Sequence, residues 1–184
     1  MRKYLGLLLG LIGLGFAHPG HLLPHTSPFT SGLLHPLTGI DHMAVMVAVG
    51  MLGAYFSGRK ALIPPLTFVS AMTIGFLLGF YGFRLGFVEQ GILLSVTLSG
   101  LLLLFRSSNL LFLLPVVGLF AIFHGLAHGY EAPHVSALSF GLGFILSTFT
   151  IHMMGVALGK LGSERMIKAS GLAMVALSLL LVVK

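Results

Sequence analysis

From Leu33 onward the chain is a succession of six apolar runs, near 34–57, 61–82, 86–105, 109–130, 134–158 and 166–183, separated by short polar punctuation. A helix needs about 20 consecutive apolar residues to cross a bilayer core. Inside lipid every backbone polar group must also find its partner within the protein. Runs of this length and number therefore predict an all-α polytopic bundle of about six transmembrane helices over residues 34–184. Composition agrees, with 57% hydrophobic and 8% charged residues against about 25% charge in soluble domains. There is no cysteine, which excludes disulfides, thiolate metal sites and cysteine nucleophiles together. The net charge of +6 comes from basic residues scattered singly or in pairs. No aromatic-interleaved basic stripe is present, so nucleic acid is not an expected partner.

The opening "MRKYLGLLLGLIGLGFA" has basic Arg2 and Lys3, an apolar stretch from Leu5 to Phe16, and small residues Gly15 and Ala17 before a plausible cut. That layout is expected of a secretory signal peptide over residues 1–17. Cleavage would leave a histidine-bearing extracytoplasmic leader, 18–33, with His18, His21 and His25. If His18 becomes the new terminus, its amine and imidazole together offer loose metal capture at an entrance; an inert linker is the alternative. The polar connections "SGRK", "FRSSN" and "GKLGSERMIK" hold Arg59, Lys60, Arg106, Lys160, Arg165 and Lys168, whereas the alternate connections and the mature termini hold only Arg84 and Lys184. Basic loops stay in the cytoplasm, so the expected topology has the mature N-terminus outside. The expected location is the bacterial cytoplasmic membrane.

Ionisable groups within such runs are costly and mark sites by default. The chain has nine histidines but only four acidic residues, Asp41, Glu89, Glu131 and Glu164, and the chemistry concentrates in two runs. In "HPLTGIDHMAVMVAVG", His35 and His42 are seven apart, two helical turns, and are expected on nearly one face. Asp41 points about 100° away, placed to ligate a shared cation from the side or to orient a histidine on another helix. The rest, "MAVMVAVG", is expected to face lipid. In "FHGLAHGYE", His124 and His128 are one turn apart and Glu131 is three residues further along that face. Imidazoles and a carboxylate so aligned suit a divalent transition metal, and the predicted topology puts both motifs at the same side of the membrane, where they could share one site. His152, in "TIHMM", lies deeper and is a candidate second station; a lone membrane histidine more often bonds a neighbouring helix. The spacings "GFLLG" (75–79), "GLAHG" (125–129) and "GVALG" (155–159) predict close helix contacts.

These two motifs resemble the signatures of the HupE/UreJ family of bacterial membrane metal transporters, and the signal-like start, length and six runs resemble it over essentially the whole chain. The resemblance implies a permease for nickel, or cobalt, serving hydrogenase or urease. It carries His35, Asp41, His42, His124, His128 and Glu131 over as candidate ligands, to which the residues themselves add His152 and the leader's His18 and His21. The third run has no histidine and offers no corresponding residue; Glu89 near its start is expected at the interface. The ion is cargo, no organic cofactor is expected, and no enzyme activity. Expected partners are the metal ion and the bilayer, with a homo-oligomer or metalloenzyme maturation proteins as further candidates. No glycine-rich phosphate loop is present, so transport is expected to be passive or coupled to another gradient unless a separate energising subunit exists. Two other classes use the same residues: a membrane-embedded metallohydrolase, with a metal-bound water and carboxylate base, and a bis-histidine haem protein.

Overall fold

The computed structural model describes residues 27–106, 108–133 and 136–182. The expected signal peptide and His18, His21 and His25 lie outside the described residues. Those described are all-helical, with no strand among them. Helix α1 (Pro28–Leu34) starts at Ser27, whose hydroxyl accepts from the Thr30 amide at 3.2 Å, with a proline in the first turn where its missing N–H goes unused. A single 3₁₀ turn, His35–Leu37, follows. Helix α2 (Ile40–Gly53) then begins from an extended Gly39.

The first apolar run is therefore not one straight helix, as its 3.6-residue spacing suggested. It breaks at Thr38–Gly39, and the two parts meet at 78°. The Thr38 hydroxyl donates to the His35 carbonyl at 2.7 Å, closing the first part before the second starts. Nor does "MAVMVAVG" face lipid: Val45, Met46, Ala48 and Val49 are buried in the bundle core. The break turns α2 inward, so its apolar residues meet protein on most sides.

Helix α3 (Ile63–Phe80) continues a 3₁₀ segment, Gly58–Leu62, and takes Pro64 and Pro65 in its opening turn. Helices α4 (Val88–Leu104), α5 (Leu110–Glu131), α6 (Ala137–Leu161) and α7 (Glu164–Val182) complete the bundle. Among the described residues, three helices are long and apolar enough to cross a membrane, or four if the bent pair counts as one span. The six expected runs thus all appear as helix, but α4 is only 17 residues long and α7 opens on Glu164, Arg165 and Lys168. Large apolar side chains cover the outside; Leu111 is 89% and Leu138 80% exposed. A surface so apolar suits hydrocarbon and not water.

The three small-residue spacings sit where helices approach most closely. "GFLLG" on α3 and "GLAHG" on α5 pack against each other: a Cβ on Gly75 would strike the Ile122 carbonyl, and one on Gly125 the Met72 carbonyl. The α6 spacing does the same against α2, with Gly155 on Val47 and Gly50 on His152. In both pairs the partners run parallel, because residue numbers rise together along each seam. Helices α2 and α6, and α3 and α5, are thereby locked in register; α2 carries Asp41 and His42, α5 carries His124, His128 and Glu131, and α6 carries His152. At the opposite end Ala54, Tyr55, Arg106, Gly162, Glu164 and Lys168 line one cavity of about 190 Å³, which gathers basic residues away from the histidines.

Candidate metal centre

The 78° break places His35 and His42 on different elements, yet it brings both to α5. His35 Nε2 lies 2.7 Å from His128 Nδ1 and 3.1 Å from Glu131 Oε2. His128 Nδ1 is 3.9 Å from the same carboxylate oxygen. These three residues offer ligand atoms that all lie within 4.8 Å of one another. The His42 ring stands 4.6 Å, centroid to centroid, from both the His124 and the His128 rings. Four imidazoles and two carboxylates thus converge at one end of the bundle, and the two sequence motifs meet there.

Hydrogen bonding assigns several of the ring nitrogens. Asp41 Oδ1 sits 2.8 Å from both His42 N and His42 Nδ1. A carboxylate only accepts, so Nδ1–H donates and the lone pair is on Nε2. His42 Nε2 is buried and has no partner. Asp41 therefore orients its own neighbour rather than a histidine on another helix. It also sits in the first turn of α2, where the helix N-terminus favours negative charge.

His124 is set by a residue the sequence did not single out. Ser95 of α4 donates its hydroxyl to the Ile92 carbonyl at 2.5 Å and lies 2.9 Å from His124 Nε2. A hydroxyl has one proton, so here Ser95 accepts and His124 Nε2–H donates, which leaves Nδ1 with the lone pair. The third run, expected to supply nothing, supplies this contact. A polar serine in "GILLSVTLSG" was the available signal. Glu89, by contrast, is exposed in the first turn of α4.

Exposure falls steadily inward. The Glu131 side chain is 53% exposed and those of His35 and His42 14%, while His124 is 1% exposed. Phe140 and Phe144 wall the cluster, with ring centroids 5.4 Å from His35 and 4.5 Å from His128 respectively. The arrangement is an open carboxylate mouth leading into progressively drier imidazoles, a donor set that suits a divalent transition metal. His152 on α6 is not in the cluster; Phe68 of α3 lies against it, ring centroids 4.9 Å apart.

An all-helical bundle with a lipid-compatible surface and a histidine–carboxylate cluster at one end defines the class of helical membrane proteins. The family model described as HupE / UreJ protein matches residues 6–181. Protein HupE of Rhizobium leguminosarum bv. viciae is 37% identical over 160 residues, which is 83% of this chain and 80% of that protein. The chain belongs to the HupE/UreJ family. Membership is consistent with a membrane metal transporter or accessory protein rather than an enzyme. No solved structure matches the chain.

Proposed function

We propose that the protein imports a divalent transition-metal ion, nickel first and cobalt second, across the cytoplasmic membrane for a metalloenzyme such as hydrogenase or urease. One observation carries this reading: His35, His42, His124 and His128, with Asp41 and Glu131, converge at one end of the bundle in order of falling exposure. Glu131 and His35 receive the hydrated ion, His128 and His42 replace its water, and Asp41 holds His42 in the metal-binding tautomer. The basic residues at the other end favour that end as cytoplasmic, which makes the histidine end external and the leader's His18 and His21 an outer collecting tail. Imidazole suits borderline transition metals, whereas magnesium and calcium want all-oxygen cages. Competition of labelled nickel uptake by a panel of divalent ions tests the reading. Cobalt should compete and magnesium should not; equal competition by magnesium overturns it.

A further inference from the structure

Three helices end and a fourth begins around the cavity opposite the histidines. Tyr55 follows α2, Arg106 follows α4, Gly162 follows α6, and Glu164 and Lys168 lie in the opening turns of α7. The cavity's volume, about 190 Å³, is below the roughly 300–1,000 Å³ of sites that enclose a drug-sized molecule, so it suits one small group. Arg106 reaches it through a strained backbone. Its φ is 50°, a left-handed conformation that disfavours every side chain, at a place where helices ordinarily end on glycine. That turn accompanies a guanidinium lying over the Tyr55 ring, 5.7 Å from its centroid. Tyr55 donates its one hydroxyl proton to the Leu103 carbonyl at 3.1 Å, so it offers a platform and not a donor. A guanidinium stacked on an aromatic face keeps its N–H edges for the paired oxygens of an anion.

Lys168 is the second cation of the cavity. Its ammonium lies 2.8 Å from Glu164, one turn back on α7, an ion pair that steadies the side chain and occupies one of its three donors. Two cations and one carboxylate leave a single positive charge, which matches the single negative charge of a phosphodiester. The surroundings are those of a lipid and not of a free anion. Phe105, 81% exposed, adjoins Arg106, and Leu161, 88% exposed, adjoins Gly162. A polar cavity flanked by bare apolar side chains suits a ligand with a charged head and an apolar tail. Arg59 and Lys60, exposed in the 3₁₀ segment beyond α2, add positive charge at this end, and such residues are drawn to an anionic leaflet.

We propose that this cavity binds a phosphodiester headgroup, supplied by an anionic phospholipid of the surrounding leaflet. Arg106 grips the two charged oxygens, Lys168 adds a further donor, and the acyl chains run along Phe105 and Leu161. A lipid seated there ties together the ends of α2, α4 and α6 and the start of α7, and so stabilises the bundle by mass action. The site lies at the far end from the histidine cluster, and it stands whether or not a metal ion passes through the protein.

The test uses the purified full-length chain, stripped of native lipid by detergent exchange. Its thermal midpoint is read as short-chain phosphatidylglycerol, phosphatidylcholine or inorganic phosphate is added at one ionic strength. Phosphatidylglycerol well above its Kd should raise the midpoint by roughly 3 °C or more. Phosphatidylcholine, whose choline cancels the charge, and inorganic phosphate, which has no tail, should each give less than about a third of that shift. Arg106→Gln should abolish the phosphatidylglycerol shift, and Arg106→Lys, which keeps the charge without the fork, should retain about half of it or less. Arg106→Gly relieves the positive φ as it removes the guanidinium, so it should melt near wild type without lipid and still show no lipid shift. That variant decides if Arg106→Gln does not fold. A wild-type midpoint unmoved by phosphatidylglycerol, an equal shift with phosphatidylcholine, or a phosphatidylglycerol shift that survives in Arg106→Gly overturns the site. An equal shift with inorganic phosphate overturns the lipid as its source.

Discussion

His35 Nε2 and His128 Nδ1 lie 2.7 Å apart although 93 residues separate them in the chain. Two imidazole nitrogens this close share a proton, one donating and the other accepting. Bonds of about 2.0–2.1 Å from each nitrogen to one metal, at tetrahedral or octahedral angles, put the nitrogens roughly 3 Å apart or a little more. A small separation of the rings therefore lets an ion take the place of the proton. We expect His128→Ala to reduce nickel affinity by about 100-fold or more, beyond the range typical of losing an outer partner. Glu131→Gln, at a half-exposed mouth where water can substitute, should lose far less. Calorimetric titration of the two variants checks the order, and a larger loss in Glu131→Gln would reverse the assignment of inner and outer ligands.

Asp41 contacts His42 twice, through the backbone amide and through Nδ1, each at 2.8 Å. Asp41→Asn keeps an acceptor but withdraws the charge that makes His42 Nε2 a strong donor to metal. Its expected effect is an affinity loss of about 10- to 100-fold, with uptake restored at high external nickel. Asp41→Ala and His42→Ala should abolish uptake in cells at normal expression. Substitutions of the leader's His18 and His21 should leave it largely intact, because neither residue belongs to the six apolar runs. Near-wild-type uptake by either alanine variant would remove the site assignment.

Ser95→Ala should leave the bundle folded and weaken nickel binding by about tenfold, because the His124 Nε2–H then lacks its acceptor and nothing fixes which nitrogen faces the ion. Ser95→Thr keeps a hydroxyl at the same place and should recover most of the affinity. That recovery separates tautomer control from simple packing, in which the added methyl group would do harm.

The two parallel helix seams should tolerate almost nothing larger than hydrogen. A methyl group on Gly125 runs into the Met72 carbonyl and one on Gly50 into the His152 carbonyl, and backbone cannot step aside as a side chain can. We expect Gly125→Ala and Gly50→Ala each to destabilise by about 1–3 kcal/mol, seen as a lower midpoint in thermal scans of detergent-purified protein. Gly86→Ala, whose new Cβ meets open space, is the control and should behave as wild type.

Much of this was legible in the residues. Apolar runs in lipid specify helices because no other open structure satisfies the backbone in hydrocarbon, and each run appears as helix, although only three, or four with the bent pair, are long and apolar enough to cross. The convergence of His35 and His42 with His124 and His128 followed from placing ionisable groups where lipid would reject them. The route to that convergence did not follow, since helical periodicity put His35 and His42 on one face, whereas Thr38 and Gly39 break the helix and each histidine reaches α5 from its own element. "MAVMVAVG" was misjudged for a related reason. In a membrane protein an apolar side chain is equally at home against lipid and in the core, so sequence alone does not say which it meets. Ser95 belonged to no motif; its role is set by which helices become neighbours.

Uptake should fall as external pH drops, because protons and metal compete for the same imidazole lone pairs. The structure gives the sign directly. His42 Nε2 holds a lone pair only while Asp41 occupies Nδ1–H, and a proton on that Nε2 removes a ligand. The His35–His128 contact likewise needs one nitrogen free to accept, and a second proton between the two rings drives them apart. Proton antiport would also oppose entry under external acid, so the measurement belongs in sealed vesicles with inner and outer pH set separately. With equal pH on both sides the proton gradient vanishes and competition at the ligands alone remains. Nickel entry should still slow as the common pH is lowered. Rates that stay flat from about pH 8 to pH 5 would mean that no histidine lone pair limits transport, and would take the cluster out of the ion's path.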